Sequence, residues 1–135
     1  EDSLYNTPPC WNIYIMGLVL QWIEKNGGVD GMKARNTEKA QLLYDYIDNG
    51  KYYKAPVEKN SRSIMNIPFL TAETDVEKAA ALNKRFVAEA EKEGLVNLAG
   101  HRLVGGMRAS LYNAMDIGGV KALIAFMERF GKENL

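Results

Sequence analysis

The residue types most capable of chemistry lie together in residues 100–114. This stretch contains the only histidine of the chain, His101, followed by Arg102, a pair of glycines and Arg108. A guanidinium is a rigid fork of N–H donors that matches a planar carboxylate, and the glycines let a ligand or a backbone approach closely. The stretch therefore predicts an anion-binding site. The alternative on residue chemistry alone is that Arg108 pairs with a structural carboxylate and that His101 caps a turn.

Polar and apolar residues alternate from residue 107 to residue 112, which is the period of a strand with one buried face. The two faces hold Met107, Ala109 and Leu111 on one side and Arg108, Ser110 and Tyr112 on the other. Arg108 is therefore expected to share the open face of the strand with a hydroxyl and a phenol.

Length and composition limit the classes of protein to which the chain can belong. With 135 residues, 47% of them hydrophobic, we expect one domain that buries about two-thirds of its unfolded surface. Seventeen basic residues balance seventeen acidic ones, so no overall field attracts nucleic acid or an anionic membrane, and anion recognition must be local. The longest apolar run, Ile13 to Leu20, is too short to cross a bilayer.

Cysteine usage and the first residues favour a cytoplasmic location. The single cysteine, Cys10, cannot form an intrachain disulfide, and Glu1-Asp2-Ser3 is acidic where a signal peptide would be basic. Cys10 has no acid–base partner near it in sequence and is expected to be buried and inert. The sequence contains neither the Cys/His cluster of a metal site nor a Walker loop, so no metal site is predicted.

An apolar helix is predicted early in the chain, with Thr7 as its N-cap, Pro8 at its first position and Asn26-Gly27-Gly28 at its end. Its apolar residues cover more than one side: Trp11, Ile13, Tyr14, Ile15, Met16, Leu18, Val19, Leu20 and Trp22. Two interpretations stay open. The helix either bridges two packed bodies or faces a missing partner, or it is the central helix of a self-contained domain.

Helix and strand signals alternate through the rest of the chain. Predicted helices run from Asp30 to Ile47, from Thr74-Asp75 to just before Gly94 and from about Asp116 to Phe130, and predicted strands are Lys51 to Val57, Ser63 to Leu70, Leu95 to Leu98 and Met107 to Tyr112. Pro68 indicates an edge strand or a strand end. This order predicts an α+β fold with an antiparallel or mixed sheet packed against helices.

The order of the residues in 100–114 is more informative than their types alone, because it matches the motif of one protein family. Gly-His-Arg-x-Val-Gly-Gly-x-Arg-Ala-Ser-x-Tyr-Asn-Ala closely resembles the C-terminal motif of the phosphoserine aminotransferase family. Asn6-Thr7-Pro8-Pro9, Asn26-Gly27-Gly28 and the stretch 62–69 resemble the same family, in the same order, so the resemblance covers nearly the whole chain. The sequence departs from the family at Leu103, where a small hydroxyl residue is usual, and around Cys10-Trp11.

The resemblance implies a fold and a set of site residues. The chain would be one domain, residues 1–135, equivalent to the small C-terminal domain of a fold-type I pyridoxal-phosphate enzyme, with a connecting helix at about 8–26; the large domain with the cofactor lysine would be absent. Arg108 would hold the α-carboxylate of the substrate, and His101 with Arg102 would bind its phosphate. Asn6 and Thr7 would reach the pyridoxal-phosphate phosphate of the neighbouring subunit in a homodimer.

The resemblance also implies an activity for the complete protein. That activity is amino-group transfer between phosphoserine, or 4-phosphohydroxythreonine, and 2-oxoglutarate, with glutamate as the other amino acid, in serine and pyridoxine biosynthesis. No catalytic residue is predicted within these 135 residues, because Lys25, in a lysine-loop-like Lys-Asn-Gly, is better explained as part of a helix end. The alternatives are a small α+β module that binds an anionic amino acid, and the small domain of another pyridoxal-phosphate aminotransferase.

Overall fold

The computed structural model describes residues 5–101 and 105–135 of the chain. Its elements, in chain order, are α1 (Cys10–Lys25), α2 (Gly28–Asn49), β1 (Tyr53–Lys54), a 3-10 turn (Lys59–Ser61), β2 (Asn66–Thr71), α3 (Val76–Lys92), β3 (Met107–Ser110) and α4 (Ile117–Asn134). They form two compact units, one up to Arg35 and the other from Asn36.

Helix α1 starts later than predicted. Its N-cap is Pro9, and no side chain makes a capping hydrogen bond there, so the predicted role of Thr7 as N-cap is wrong. A residue that precedes a proline avoids the helical region of backbone conformation. Thr7 precedes Pro8 and Pro8 precedes Pro9, and the helix therefore begins only after both prolines. Its end agrees with the prediction, because Asn26 is the C-cap and Gly27 follows with φ of +89°.

The side chains of α1 are unusually exposed for their composition. None of them is buried, and the exposed fraction of Trp11 reaches 71%. The other large apolar residues of the helix that are exposed are Ile13, Tyr14, Ile15, Met16, Leu18, Val19 and Leu20. Cys10 is exposed as well, so the prediction that it is buried is wrong. The thiol lies in the first turn of a helix without a buried face, and no described residue covers it.

The second unit is built on a three-stranded antiparallel sheet with the order β1-β2-β3. Strand β2 pairs with β3 so that Pro68 lies opposite Arg108 and Asn66 opposite Ser110. Pro68 is thus in the central strand. Strand β1, however, pairs only with Leu70 and Thr71 of β2. Pro68 therefore lies beyond the end of β1, and its missing N–H costs no hydrogen bond between strands. Sheet and helices together confirm the predicted α+β class.

The predicted strand from Leu95 to Leu98 is absent among the described residues. Asn97 has φ of +60°, which breaks the extended conformation. What remains is local pairing with β3: the backbone N–H of Arg108 donates to the carbonyl oxygen of Leu98 at 2.8 Å, and Ala99 forms an isolated bridge with Met107.

One face of the sheet forms the core with α3 and α4. The inward residues Ile67, Phe69, Met107 and Ala109 are buried, as the alternation predicts. Phe86 of α3 is fully buried and makes edge-to-face contacts with four rings, those of Tyr53, Phe69, Phe126 and Phe130. Asp75 and Asp116 cap α3 and α4 by accepting hydrogen bonds from backbone N–H groups of the first turn. The packed face leaves the other side of β2 and β3 available for a site.

Candidate functional site

Strand β3 presents Arg108 on the sheet face that points away from the core. The residues of β3 alternate between buried and half-buried, and Arg108 and Ser110 are the half-buried pair. The Nε atom of Arg108 is itself buried and has no hydrogen-bond partner. No carboxylate among the described residues pairs with Arg108, which argues against the structural ion pair that residue chemistry alone left open. A buried guanidinium N–H without an acceptor is costly unless a ligand supplies one.

Arg108 lines a cavity of about 270 Å³ on this face. The residues around it are Val57, Ser61, Ser63, Asn66, Pro68, His101, Gly105, Met107 and Arg108. None of these lining residues is acidic, and the guanidinium of Arg108 and the imidazole of His101 line the same space. The cavity therefore has the charge and the donors to bind a small anion.

The loop before β2 forms one wall of the cavity and is attached to α2. Arg62 donates two hydrogen bonds to the carboxylate of Asp48, at 2.7 and 2.8 Å, and its guanidinium lies 4.4 Å from the centre of the Tyr44 ring. The Tyr44 hydroxyl donates to the carbonyl oxygen of Ser63 at 3.1 Å. The hydrogen bonds from Arg62 hold the pKa of Asp48 below its usual value. Ser61 and Ser63, which flank Arg62, are thereby fixed in the cavity wall.

The segment after β3 is attached to α2 as well, through a buried lysine. Lys39 has no exposed surface, and its ammonium group donates to the carbonyl oxygens of Leu111, Tyr112 and Met115 at 3.2, 2.8 and 3.0 Å. One helical turn earlier, the Asn36 side-chain amide donates to the Asn113 side chain at 2.7 Å. Hydropathy gave no signal for this contact, because a lysine in a helix is normally read as exposed.

A tight turn precedes Arg108 and closes another side of the cavity. Gly105 and Gly106 have φ of +72° and +65°, a conformation that side chains disfavour. Gly106 also lies against β2, where an added Cβ would be 2.8 Å from the carbonyl oxygen of Phe69. The predicted close approach is confirmed at Gly106, whereas an added Cβ at Gly105 would meet nothing within 4 Å.

The structure brings together two of the predicted site residues. Arg108 and His101 line one cavity, whereas Arg102 lies outside the described residues. Asn6 and Thr7 belong to the first unit, ahead of α1, and both are exposed. Tyr112 is exposed and does not line the cavity, although its backbone is held by Lys39.

Two further observations concern other classes of site. Over residues 5–101 and 105–135, no three His, Cys, Asp or Glu side chains are grouped so that they could hold a metal ion. Within the same ranges no helix is long and apolar enough to span a membrane.

Comparison with known proteins identifies the family. The sequence profile of the aminotransferase class-V family matches residues 1–123. The chain belongs to the class-V aminotransferases. Among curated members of this family, it is 56% identical over 130 residues to the phosphoserine aminotransferase of Listeria monocytogenes, covering 96% of this chain and 34% of that protein. It is 50% identical over 134 residues to that of Pseudoalteromonas translucida, covering 99% and 36%.

Solved structures of aminotransferases give the same result. The phosphoserine aminotransferase from Bacillus circulans subsp. alkalophilus matches with a TM-score of 0.89 and 47% identity, over 98% of this chain and 35% of that one. The pyridoxal-phosphate-bound phosphoserine aminotransferase from Trichomonas vaginalis matches with a TM-score of 0.82 and 36% identity, over 94% and 35%. This class-V aminotransferase chain therefore spans about a third of the length of the relatives that it matches.

Proposed function

We propose that this chain is the C-terminal part of a pyridoxal-phosphate-dependent phosphoserine aminotransferase, and that Arg108 holds the α-carboxylate of its amino-acid substrates. The observation that carries the proposal is the buried Arg108 Nε without an acceptor, in a cavity lined by no acidic residue. A carboxylate accepts two parallel charge-assisted hydrogen bonds from a guanidinium, which would satisfy this donor. The relatives named phosphoserine aminotransferase support the choice of reaction.

We propose that the phosphate of phosphoserine binds to the histidine of the cavity. His101 lines the same space as Arg108 and is exposed, so it is accessible to a ligand that reaches in from solvent. A protonated imidazole strengthens its hydrogen bonds to a dianion. Arg102 follows directly in sequence, and we propose that its guanidinium also binds the phosphate. One substrate would then be held at both ends, by Arg108 at its carboxylate and by His101 and Arg102 at its phosphate.

Asn6 and Thr7 fit the phosphate end of pyridoxal phosphate. Both are exposed polar residues ahead of a helix N-terminus, and neither side chain makes a capping hydrogen bond to α1. The positive end of a helix favours an anion, while Pro8 and Pro9 lack N–H groups, so the side chains of Asn6 and Thr7 have to donate the hydrogen bonds. When bound, the cofactor supplies the electron-withdrawing ring on which amino-group transfer depends.

The catalytic lysine is proposed to lie in the remaining two-thirds of the protein. Lys25 is an exposed residue in the last turn of α1, where a cation interacts favourably with the helix dipole, and Lys39 is held by three carbonyl groups.

We further propose that the full-length protein is a homodimer, in which Asn6 and Thr7 bind the cofactor of the neighbouring subunit. We also propose a cytoplasmic location.

The full-length protein that contains this chain tests the proposal. We expect it to transfer amino groups from phosphoserine and from glutamate when supplied with pyridoxal phosphate. Arg108→Lys keeps the charge and loses the fork, so kcat/KM should fall roughly tenfold to a hundredfold with both amino acids, with little change in melting temperature. Unimpaired turnover together with a large fall in melting temperature would assign Arg108 a structural role instead.

A further inference from the structure

Asn66 lies beside Arg108 on the cavity face of the sheet. It is opposite Ser110, the next residue of β3 on that face, and both Asn66 and Arg108 line the cavity. The backbone N–H of Leu111 donates to the carbonyl oxygen of Met65 at 2.7 Å. In an antiparallel ladder the neighbouring pair, Asn66 and Ser110, is therefore a non-hydrogen-bonded pair, whose side chains approach most closely.

The orientation of the Asn66 amide is set by this neighbour. The Ser110 hydroxyl donates to Asn66 Oδ1 at 3.0 Å. The oxygen is thus engaged, and the amide nitrogen, with its two N–H donors, is turned away from Ser110. No described group accepts a hydrogen bond from this nitrogen. The cavity that Arg108 lines consequently also carries a neutral, oriented donor in its wall.

We propose that Asn66 is a second binding residue of this cavity, donating through Nδ2 to the same carboxylate that Arg108 holds, and that Ser110 is a positioning residue that fixes the amide. This inference rests on the proposed function of Arg108. A carboxylate has about four lone-pair sites, and a bidentate arginine uses two of them. In a partly desolvated cavity the remaining sites need donors, because an unpaired buried polar group is costly. Asn66 supplies one without adding charge.

The decisive variant is Asn66→Asp in the full-length enzyme with its cofactor. It has nearly the same shape and still accepts the Ser110 hydrogen bond, but it replaces the donor with a negative oxygen beside Arg108. Repulsion of the substrate carboxylate should raise KM for both phosphoserine and glutamate, lowering kcat/KM by about a hundredfold. Asn66→Ala, which only removes the donor, should lower it by about tenfold, and Ser110→Ala, which frees the amide to rotate, by about threefold.

Asn60→Asp is the matched control. Asn60 also accepts a hydrogen bond from a serine hydroxyl, that of Ser61, at 3.2 Å, but it is exposed and does not line the cavity. The same added charge at this position should leave KM, kcat and melting temperature unchanged. An effect of Asn66→Asp no larger than that of Asn60→Asp would overturn the inference. So would losses in kcat and melting temperature without a rise in KM, since these indicate a structural role. Should Asn66→Asp not fold, the KM of Asn66→Ala decides in the same way.

Arg108→Lys, measured in parallel, separates the two proposals. A loss with Arg108→Lys and none with the Asn66 variants would leave the proposed function standing and reject the role of Asn66. No loss with Arg108→Lys would reject the carboxylate site altogether, and Asn66 with it.

Discussion

The ammonium group of Lys39 donates a hydrogen bond of 2.8 Å to the backbone carbonyl oxygen of Tyr112. Tyr112 follows Arg108 by four residues, just beyond the end of β3. Since Asp48 and Tyr44 of the same helix hold the loop before β2, one helix, α2, fixes the chain on both sides of the cavity. The geometry around Arg108 therefore depends on residues that are distant in sequence and do not line the cavity.

Replacing Lys39 with methionine should destabilise the second unit. Methionine has a similar length and no donor, so the carbonyl groups of Leu111, Tyr112 and Met115 would lose their buried partner. We expect a loss of about 2–3 kcal/mol in the free energy of unfolding, measured by urea denaturation. The control is Lys33→Met, at an exposed lysine of the same helix, which should change it little. Equal effects of the two variants would show that the three carbonyl contacts add nothing to stability.

The Asp48–Arg62 pair should make stability depend on acid pH. The hydrogen bonds from Arg62 lower the folded-state pKa of Asp48. The pair therefore stabilises the fold fully above the unfolded-state pKa of about 3.9, and this stabilisation is lost as the pH falls through the lower folded-state pKa. Asp48→Asn should cost about 1 kcal/mol at pH 7, and its difference from wild type should shrink as the pH falls below about 5.

Urea denaturation at a series of pH values measures this difference. The control is Asp45→Asn, because Asp45 is exposed on the same helix and accepts a hydrogen bond from Gln41 without an ion pair. If Asp48→Asn kept the same deficit down to the lowest pH, the charge of Asp48 would not be the source of the stabilisation.

Alanine substitutions at Gly105 and Gly106 should separate the cost of backbone strain from the cost of a steric clash. Both have positive φ, but an added methyl group would meet nothing within 4 Å at Gly105 and would collide with the Leu70 side chain and the Phe69 carbonyl at Gly106. Gly105→Ala should cost about 1 kcal/mol from backbone strain alone. Gly106→Ala should cost at least about 1 kcal/mol more and should weaken substrate binding by displacing Arg108. Thermal unfolding and KM of the two variants measure this, and equal costs would contradict the packing argument.

His101→Ala should separate the two ends of the substrate. His101 and Arg108 line the same cavity, but only the phosphorylated substrate has a group for His101. In the full-length enzyme we expect kcat/KM for phosphoserine to fall about tenfold or more, while that for glutamate changes little. Half-reactions measured with each amino acid provide the readout, and Arg108→Lys, which should affect both, is the reference. An equal loss with both amino acids would place the phosphate elsewhere.

The alternation around Arg108 could be predicted because one face of β3 is buried. A one-residue shift would turn Met107 and Ala109, both buried, towards solvent, so the core fixes which side Arg108 takes. The three helices predicted after α1 are present in the structure for the same reason, because their apolar faces pack on a core. The family motif predicts that Arg108 and His101 bind the same substrate, and the structure places both residues in the lining of one cavity.

Other features could not be predicted from sequence patterns. They depend on contacts between residues distant in sequence, or on backbone conformations that proline excludes. Lys39 carries no apolar signal, and its burial becomes favourable only when the carbonyl groups after β3 arrive from 72 or more residues away. The hydrogen bond from Ser110 to Asn66 depends on strand register. Thr7 was predicted from its capping preference, yet the prolines that follow it exclude the helix from that position.

Cys10 has a practical consequence for spectroscopy. It is the single cysteine among the 135 residues, and it is exposed at the first residue of α1. A thiol-reactive fluorophore or spin label would therefore modify one position of the isolated chain, next to the exposed ring of Trp11 and the apolar surface of the helix. The emission or rotational mobility of that label would report directly whether solvent reaches this surface in the isolated chain, and a full-length protein with Cys10 as its single cysteine would show whether the surface is then covered.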